Sequence, residues 1–253
     1  MDLTAVICGF AVGAIVGLTG VGGGSLMTPL LIGVFRLNPA VAIGTDLWFA
    51  AITKTGGAVA HHRHGHVDRR ITGLMLAGSV PAAVATIAWM HTTGAAKAGT
   101  LTLALGIALL LTAVVVANRP AWQSLGLKME RWIPQSRKPL LTVLVGSLLG
   151  VMVTLSSIGA GALGATMILL LYPRLPMQRL IGTDIAHAVP LTLVAGIGHA
   201  TLGHIDWSLL ATLLIGSLPG IWLGARLTKS LPDRLVRSLL AGSLLLAGFK
   251  VIY

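Results

Sequence analysis

Long apolar segments recur along the whole chain, and they restrict its fold more than any single motif does. Only 10% of the 253 residues are charged, whereas about a quarter are charged in a soluble domain. As helices rising about 1.5 Å per residue, several segments are long enough to cross roughly 30 Å of hydrocarbon. The sequence therefore predicts an all-α polytopic membrane protein. We recognise ten segments, at 3–18, 22–36, 41–60, 71–91, 98–117, 139–155, 160–173, 180–199, 207–225 and 235–252.

Composition also argues against other classes of protein. The net charge of +11 suggests nucleic-acid binding, but the basic residues lie in short loops and form no continuous basic face. Cys8 is the only cysteine, which excludes an intrachain disulfide framework and a multi-cysteine metal cage. Glu130 is the only glutamate, and the sequence contains no zinc-hydrolase motif, nucleophile–base pair or nucleotide-binding motif. We therefore expect neither an enzyme nor a bound cofactor, and the oligomeric state stays open.

The two halves of the chain are copies of one another. The stretch "AIGTD" at 42–46 returns as "LIGTD" at 180–184, an offset of 138 residues. Such an internal repeat predicts a first membrane repeat at 1–117 and a second at 139–253, joined by a polar linker at 118–138. Further matches at this offset include "GSVP" (78–81) with "GSLP" (216–219), His61 with His199, Gly65 with Gly203, His66 with His204 and Asp68 with Asp206.

Basic residues are distributed unequally between the matched loops. The loop "HHRHGHVDRR" at 61–70 contains three arginines, whereas its counterpart "HATLGHIDWS" at 199–208 contains no Lys or Arg. Further basic clusters occupy the 118–138 linker and the stretches 174–179 and 226–237. Because basic loops stay in the cytoplasm, matched loops of different charge are expected on opposite sides of the membrane. This predicts two inverted-topology repeats, a cytoplasmic linker and both termini outside.

Two glycine-rich stretches, "GLTGVGGGS" at 17–25 and "LSSIGAGALG" at 155–164, separate the short first and second segments of each half. We expect a broken helix at each, with short segments that either span or re-enter the membrane. A broken helix presents free N–H groups and the positive end of a half-helix dipole, which suit an anion. The alternative is that these glycines only allow close helix packing. The candidate substrate-binding residues are Thr19, Gly22, Gly23, Gly24 and Ser25 in the first half and Ser156, Ser157, Gly159 and Gly161 in the second.

Asp46, Lys54, Asp184 and His187 are ionisable residues that lie inside the apolar segments. A charge near the centre of a membrane helix costs roughly 2.5–3.5 kcal/mol on insertion scales, so each is a candidate for function. Lys54 is a candidate for binding an anionic substrate; its alternative role is to snorkel towards the interface. Asp46 and Asp184 are candidates for proton coupling or, alternatively, for N-caps of their helices. His187 follows Asp184 by three residues, so it is either part of a proton relay or a buried histidine bonded to another neighbour.

The histidine-rich loop keeps only part of its composition in the second copy. His62, His64 and His66 alternate and would share a face in an extended chain, so a zinc site is one interpretation. What both copies preserve is a turn, in which glycine is followed by His and Asp before the next helix, and Asp68 and Asp206 are expected as N-caps. We therefore favour a structural loop without a metal, formed by His61, Gly65, His66 and Asp68 and by His199, Gly203, His204 and Asp206.

The stretch "GLTGVGGGSLMTPLL" at 17–31, "IGTD" and the loop at 61–70, with their counterparts, resemble the TauE/SafE sulfite-exporter family over essentially the whole chain. The resemblance implies a multi-pass transporter of the bacterial inner membrane for a small sulfur-containing anion such as sulfite or an organosulfonate. Inverted repeats with broken helices are a recurrent plan of secondary transporters, with alternating access to one site. We therefore expect an exporter with a small anionic substrate as its partner in the lipid bilayer, and proton coupling stays open. A divalent-metal transporter using the histidine-rich loop is the alternative.

Overall fold

Helices dominate the described part of the chain. The structure is a computed structural model that describes residues 2–19, 24–93, 98–227, 241–242 and 244–249. No strand occurs among these residues, in agreement with the predicted all-α class. The helices are α1 (Leu3–Thr19), α2 (Gly24–Gly33), α3 (Pro39–Arg63), α4 (Arg69–Thr93), α5 (Ala98–Ala117), α6 (Arg119–Glu130), α7 (Lys138–Ser156), α8 (Ala162–Leu171), α9 (Met177–Thr201) and α10 (Trp207–Leu227).

The predicted apolar segments correspond closely to these helices. Nine of the ten coincide with a helix to within three residues at either end. The tenth, 235–252, lies largely outside the described residues. Part of the polar linker at 118–138 forms the 12-residue helix α6, which is not among the ten apolar segments.

Five helices of the described residues are long and apolar enough to cross a membrane. α1 and α8 are apolar but shorter, while α3 has 25 residues and carries Asp46, Lys54 and a histidine-rich end. Length and composition therefore support a multi-pass membrane protein. The five candidate spans are Arg69–Thr93, Gly99–Ala117, Lys138–Ser156, Met177–Thr201 and Trp207–Gly224.

α3 and α9 begin well before their aspartates. The Oδ1 atom of Asn38 caps α3 by accepting a hydrogen bond from the N–H of Ala40 at 3.0 Å. α3 starts seven residues before Asp46, and α9 starts seven residues before Asp184. The interpretation of these two aspartates as N-caps is therefore wrong, since both lie in the helix interior.

Helices of one half pack against helices of the other half. α1 packs along α10, and α4 packs along α7. These two contacts are equivalent, because α1 matches α7 and α4 matches α10 in the 138-residue repeat. Glycines allow the backbones to touch: a Cβ atom added to Gly13 would lie 2.4 Å from the carbonyl oxygen of Ser217. One added to Gly146 would lie 2.3 Å from the carbonyl oxygen of Met75. Small residues at such crossings are the usual means of close helix association in membranes.

α3 and α9, which also match in the repeat, pack side by side in opposite directions. Gly44, near the start of α3, lies against the loop after α9, where an added Cβ would be 1.9 Å from the carbonyl oxygen of His204. Gly182, near the start of α9, lies against the loop after α3, where an added Cβ would be 2.3 Å from the carbonyl oxygen of His66. Between these ends the two helices share an apolar core that includes Leu47.

The linker helix α6 docks on α8. A Cβ added to Gly126 would lie 2.9 Å from the carbonyl oxygen of Leu169. Glu130 receives hydrogen bonds from Lys138 Nζ at 3.3 Å and from Arg174 Nε at 2.9 Å. Desolvation opposes ionisation of Glu130, but these two cations outweigh it and lower the pKa of the carboxyl group. The linker is thereby attached to the start of α7 and to the loop between α8 and α9.

Candidate functional site

The break between α7 and α8 is built from residues with unusual backbone angles. α7 ends at Ser156, and Ser157 adopts a left-handed conformation with φ of 58°. Gly159 and Gly161 follow with φ of 127° and 150°, values that favour glycine. The Ser156 hydroxyl bonds to its own segment, donating to Met152 O at 2.6 Å, and so stabilises the helix end.

The corresponding break in the first half is only partly described. Gly22 and Gly23 lie outside the described residues, and so do the side chains of Thr19 and Ser25. Gly24 is the first residue of α2. The geometry of the candidate site therefore comes from the second break and from the helices around it.

Lys54 of α3 reaches from the first half to the second break. Its side chain is 7% exposed, and the ammonium group donates a hydrogen bond to the carbonyl oxygen of Ala160. Its acidic neighbours are Asp184, with the larger electrostatic effect, and Asp46. Neither carboxylate forms a direct ion pair with Lys54, since the ion pairs within 4.0 Å among the described residues are those of Glu130. A buried cation thus faces a helix break with two acids nearby but not in contact.

Asp46 is fully buried between α3, α2 and the second break. The hydroxyl group of Thr28 donates a hydrogen bond to its Oδ2 atom. The side chain of Ser157 adjoins the same carboxyl group. Asp46 Oδ1 and Ser157 Oγ have no hydrogen-bond partner within the described ranges, so polar atoms remain free at this position.

Asp184 lies against the first turn of α8. Its side chain is 5% exposed, and a Cβ atom added to Gly164 would lie 2.2 Å from Asp184 Oδ1. This oxygen also has no hydrogen-bond partner in the part of the chain that the structure describes. The carboxyl group occupies the amino end of a helix, where the macrodipole favours negative charge.

His187 is fully buried one turn after Asp184, but its hydrogen bond goes elsewhere. Its Nε2 atom lies 2.9 Å from the Ser79 hydroxyl of α4. Its Nδ1 atom has no partner among the described residues. The structure therefore joins His187 to Ser79, a residue that sequence reasoning did not select although it lies in the repeated "GSVP" stretch. Thr28 was likewise missed, although it belongs to the conspicuous stretch "MTPLL".

The site is asymmetric although the two halves match. Asp46 and Asp184 are counterparts in the repeat, but Lys54 corresponds to Thr192 and His187 to Phe49. Thr192 is buried and donates to its own helix, to Ala188 O at 2.9 Å. The cluster thus has two acids, one cation and one imidazole, and it forms a single unsymmetrical site.

The two histidine-containing loops dock reciprocally on the opposite half. The backbone N–H of Asp68 donates to Thr183 Oγ1 at 3.0 Å, and that of Asp206 donates to Thr45 Oγ1 at 3.0 Å. The aspartate side chains then accept from the next helix: Asp68 from the N–H of Ile71 at 3.1 Å and Asp206 from that of Leu209 at 2.9 Å. The threonine of each "GTD" motif thus accepts a hydrogen bond from the turn of the other half.

The histidines of these loops contact each other and the bundle. Ring centroids of His61 and His66 lie 5.7 Å apart, and those of His199 and His204 lie 5.5 Å apart. His199 Nε2 also lies 2.9 Å from Thr154 O. Partial burial, with a smaller effect of the nearby charge of His91, lowers the pKa of His204. Gly65 and Gly203 turn the chain, with φ of 68° and 74°. Among the described residues, no three His, Cys, Asp or Glu side chains lie close enough together to hold a metal ion.

Comparison with known proteins gives relatives along the whole chain. Probable membrane transporter protein YjnA of Bacillus subtilis (strain 168) is 37% identical over 257 residues, which cover 100% of both chains. Probable membrane transporter protein YdhB of the same organism is 28% identical over 246 residues, 96% of this chain and 97% of the relative. A probable membrane transporter protein of Xylella fastidiosa (strain Temecula1 / ATCC 700964) is 26% identical over 88% of this chain and 83% of its own. No solved structure matches the chain.

A family match agrees with these relatives. Residues 5–251 match the family described as sulfite exporter TauE/SafE. The match covers the short helices, the "GTD" motifs and both histidine-containing loops. The chain therefore belongs to the sulfite exporter TauE/SafE family.

Proposed function

We propose that this protein is a secondary transporter that exports a small sulfur-containing anion, such as sulfite or an organosulfonate, across the bacterial inner membrane by alternating access. The observation that carries the proposal is the position of Lys54, a buried cation of the first half held at the broken helix of the second. An anion arriving there meets an ammonium group and the amino end of α8 together, and both attract negative charge. The family description supports this substrate class and this direction.

The way in which the halves meet supports alternating access. α3 and α9 match in the repeat and run in opposite directions, as expected if the second repeat is inverted. Each ends in a loop that docks on the start of the other helix, through Thr45 and Thr183. The charged cluster lies between these two docking contacts, because Lys54 comes from the middle of α3. A rocking motion that loosens one contact at a time would open the cluster to one side at a time.

Transport of sulfite by the purified protein in proteoliposomes tests the proposal. We expect saturable uptake of radiolabelled sulfite, and we expect Lys54→Met to reduce it to the level of empty liposomes, because the substitution keeps the side-chain length and removes the cation. Lys138→Met is the matched control, since Lys138 is also buried but pairs with Glu130 at 3.3 Å, away from the break. This variant should keep most of the flux.

Two results would contradict the proposal. Equal sulfite flux in the wild type and in Lys54→Met would remove Lys54 from the site. A flux of zinc without any flux of sulfite would favour cation transport and reverse the assignment of substrate. Both variants need the same elution volume as the wild type in detergent, so that a loss of flux reports on the site and not on folding.

A further inference from the structure

The two acids near Lys54 are held in different ways. Asp46 Oδ2 accepts the hydrogen bond of Thr28, and its carboxyl group adjoins Ser157, although Asp46 Oδ1 has no hydrogen-bond partner among the described residues. Donors of this kind favour the ionised form of a carboxyl group. Asp184 accepts no hydrogen bond from the described residues, and its Oδ1 atom is buried. Asp184 is therefore the acid whose charge depends on what else occupies the site.

Asp184 stands where an anion would be expected to bind. It lies against Gly164 in the first turn of α8, a 10-residue helix whose N-cap, Gly161, provides no side-chain hydrogen bond. The approach requires glycine, because a Cβ atom at Gly164 would lie 2.2 Å from Asp184 Oδ1. Lys54 reaches the same end of the helix through the carbonyl oxygen of Ala160. A helix amino end and an ammonium group, both positive, thus meet beside the carboxyl group of Asp184.

We propose that Asp184 takes up one proton for each monovalent oxyanion that binds between Lys54 and the amino end of α8. This inference rests on the proposed function and specifies its substrate charge and its coupling. The bound anion places a second negative charge beside the Asp184 carboxylate, and two like charges at one buried position cannot both persist. The proton comes from water on the side that is open and adds to a carboxylate oxygen of Asp184. Once Asp184 is neutral, the bound anion is the counter-ion of Lys54.

The charge balance explains why the anion should be monovalent. Before binding, the ammonium group of Lys54 is balanced by the Asp184 carboxylate, and Asp46 keeps the same charge before and after binding. After binding, it is balanced by the anion while Asp184 is neutral, so the net charge of the site is unchanged. A divalent anion with the same single proton would add one uncompensated charge among the helices, which is unfavourable in a membrane. Because one anion and one proton move together, the membrane potential does no work on the transport step.

Other ionisable groups lie around the site, and their titration must be distinguished from that of Asp184. Asp46 on α3 and His187 on α9 are the remaining titratable neighbours of Lys54 and Asp184. The described residues of α2, α8 and the 157–161 break contain no charged side chain. Asp184, Asp46 and His187 are therefore the groups whose titration between pH 5 and pH 8 must be distinguished. Each can be replaced by a neutral residue of nearly the same shape.

Binding of methanesulfonate, which stays monovalent between pH 5 and pH 8, tests the inference by calorimetry on the detergent-solubilised protein. We expect Kd to rise about tenfold per pH unit above the pKa of the coupled acid, the slope for one linked proton. Titrations in buffers of different ionisation enthalpy should give a net uptake of roughly one proton per anion. Asp184→Asn should bind with a pH-independent Kd and take up no proton, while Asp46→Asn and His187→Gln should keep the slope. Ethane-1,2-disulfonate, a permanent dianion, should bind at least about tenfold more weakly, corresponding to 1.4 kcal/mol.

Other outcomes would overturn the inference. These are wild-type binding without proton uptake, a slope that persists in Asp184→Asn but disappears in His187→Gln or Asp46→Asn, or a dianion that binds as well as the monoanion. If Asp184→Asn does not fold, the proton count of the wild type still decides the question. Sulfite flux without linked protons would reject this inference alone, whereas the absence of both sulfite flux and methanesulfonate binding would reject the proposed function as well.

Discussion

At the scale of single residues, the halves are joined by two matched hydrogen bonds. Thr45 and Thr183 are fully buried, and each hydroxyl oxygen accepts the backbone N–H of an aspartate in the loop of the other half. A buried backbone N–H without an acceptor is costly, so the loop can leave this position only if another partner replaces the threonine. In the alternating access proposed above, each contact would act as a gate, because it is specific and consists of one hydrogen bond.

We predict that Thr45→Val and Thr183→Val each lower the free energy of unfolding by about 1–3 kcal/mol, the cost of leaving a buried donor unpaired. Valine keeps the shape and removes the acceptor, while serine restores it, so Thr45→Ser and Thr183→Ser should recover most of the loss. Denaturation in detergent at several urea concentrations would measure the change. Thr92→Val is the control, because Thr92 is exposed and its hydroxyl bonds only within α4. Valine variants as stable as this control would show that the two contacts contribute nothing.

At the scale of helices, the close crossing of α3 and α9 depends on glycine. A Cβ atom at Gly44 would lie 1.9 Å from the carbonyl oxygen of His204, and one at Gly182 would lie 2.3 Å from that of His66. These neighbours are backbone atoms, which cannot move aside as a flexible side chain does. The loops must therefore shift if any larger residue replaces either glycine.

We predict that Gly44→Ala and Gly182→Ala lower the free energy of unfolding by about 1–3 kcal/mol each, as for an overpacked core. Gly56→Ala is the matched control within α3, because no atom lies within 4 Å of its added Cβ. There alanine should stabilise the helix by about 1 kcal/mol through its higher helix propensity. The same denaturation measurement compares the three variants. A loss as large in Gly56→Ala as in Gly44→Ala would mean that the crossing is not responsible.

The sequence predicts the helices better than the contacts between them. Hydrophobic segments alone place α3 and α9, because their length and apolar composition are local properties. Helix α6 is missed, since its polar residues lack the long apolar run by which the other helices were recognised. Lys54 is recognised as a buried charge, but its partner Ala160 is 106 residues away and contributes only a carbonyl oxygen. A backbone acceptor leaves no signal in residue identity, and the same holds for the loop N–H groups bonded to Thr45 and Thr183.

At the scale of the whole molecule, the main helix pairs each join one half of the chain to the other. α1 packs on α10 and α4 on α7, so neither half forms its contacts alone. The matching helices α3 and α9 cross between these pairs in opposite directions and carry Asp46, Lys54 and Asp184. If the second repeat is inverted, the two docked loops close the site from opposite sides of the membrane. Alternating access then requires the two contacts to open in turn.

Labelling of single cysteines next to the two docked loops determines whether these loops lie on opposite sides of the membrane. On a Cys8→Ser background, His64→Cys places a thiol at an exposed position directly after α3, and Thr201→Cys places one at the exposed last residue of α9. A membrane-impermeant maleimide added to intact spheroplasts should label Thr201→Cys at once. It should label His64→Cys only after the membrane is permeabilised. Labelling of both variants from the same side would contradict the inverted arrangement and, with it, alternating access between these two loops.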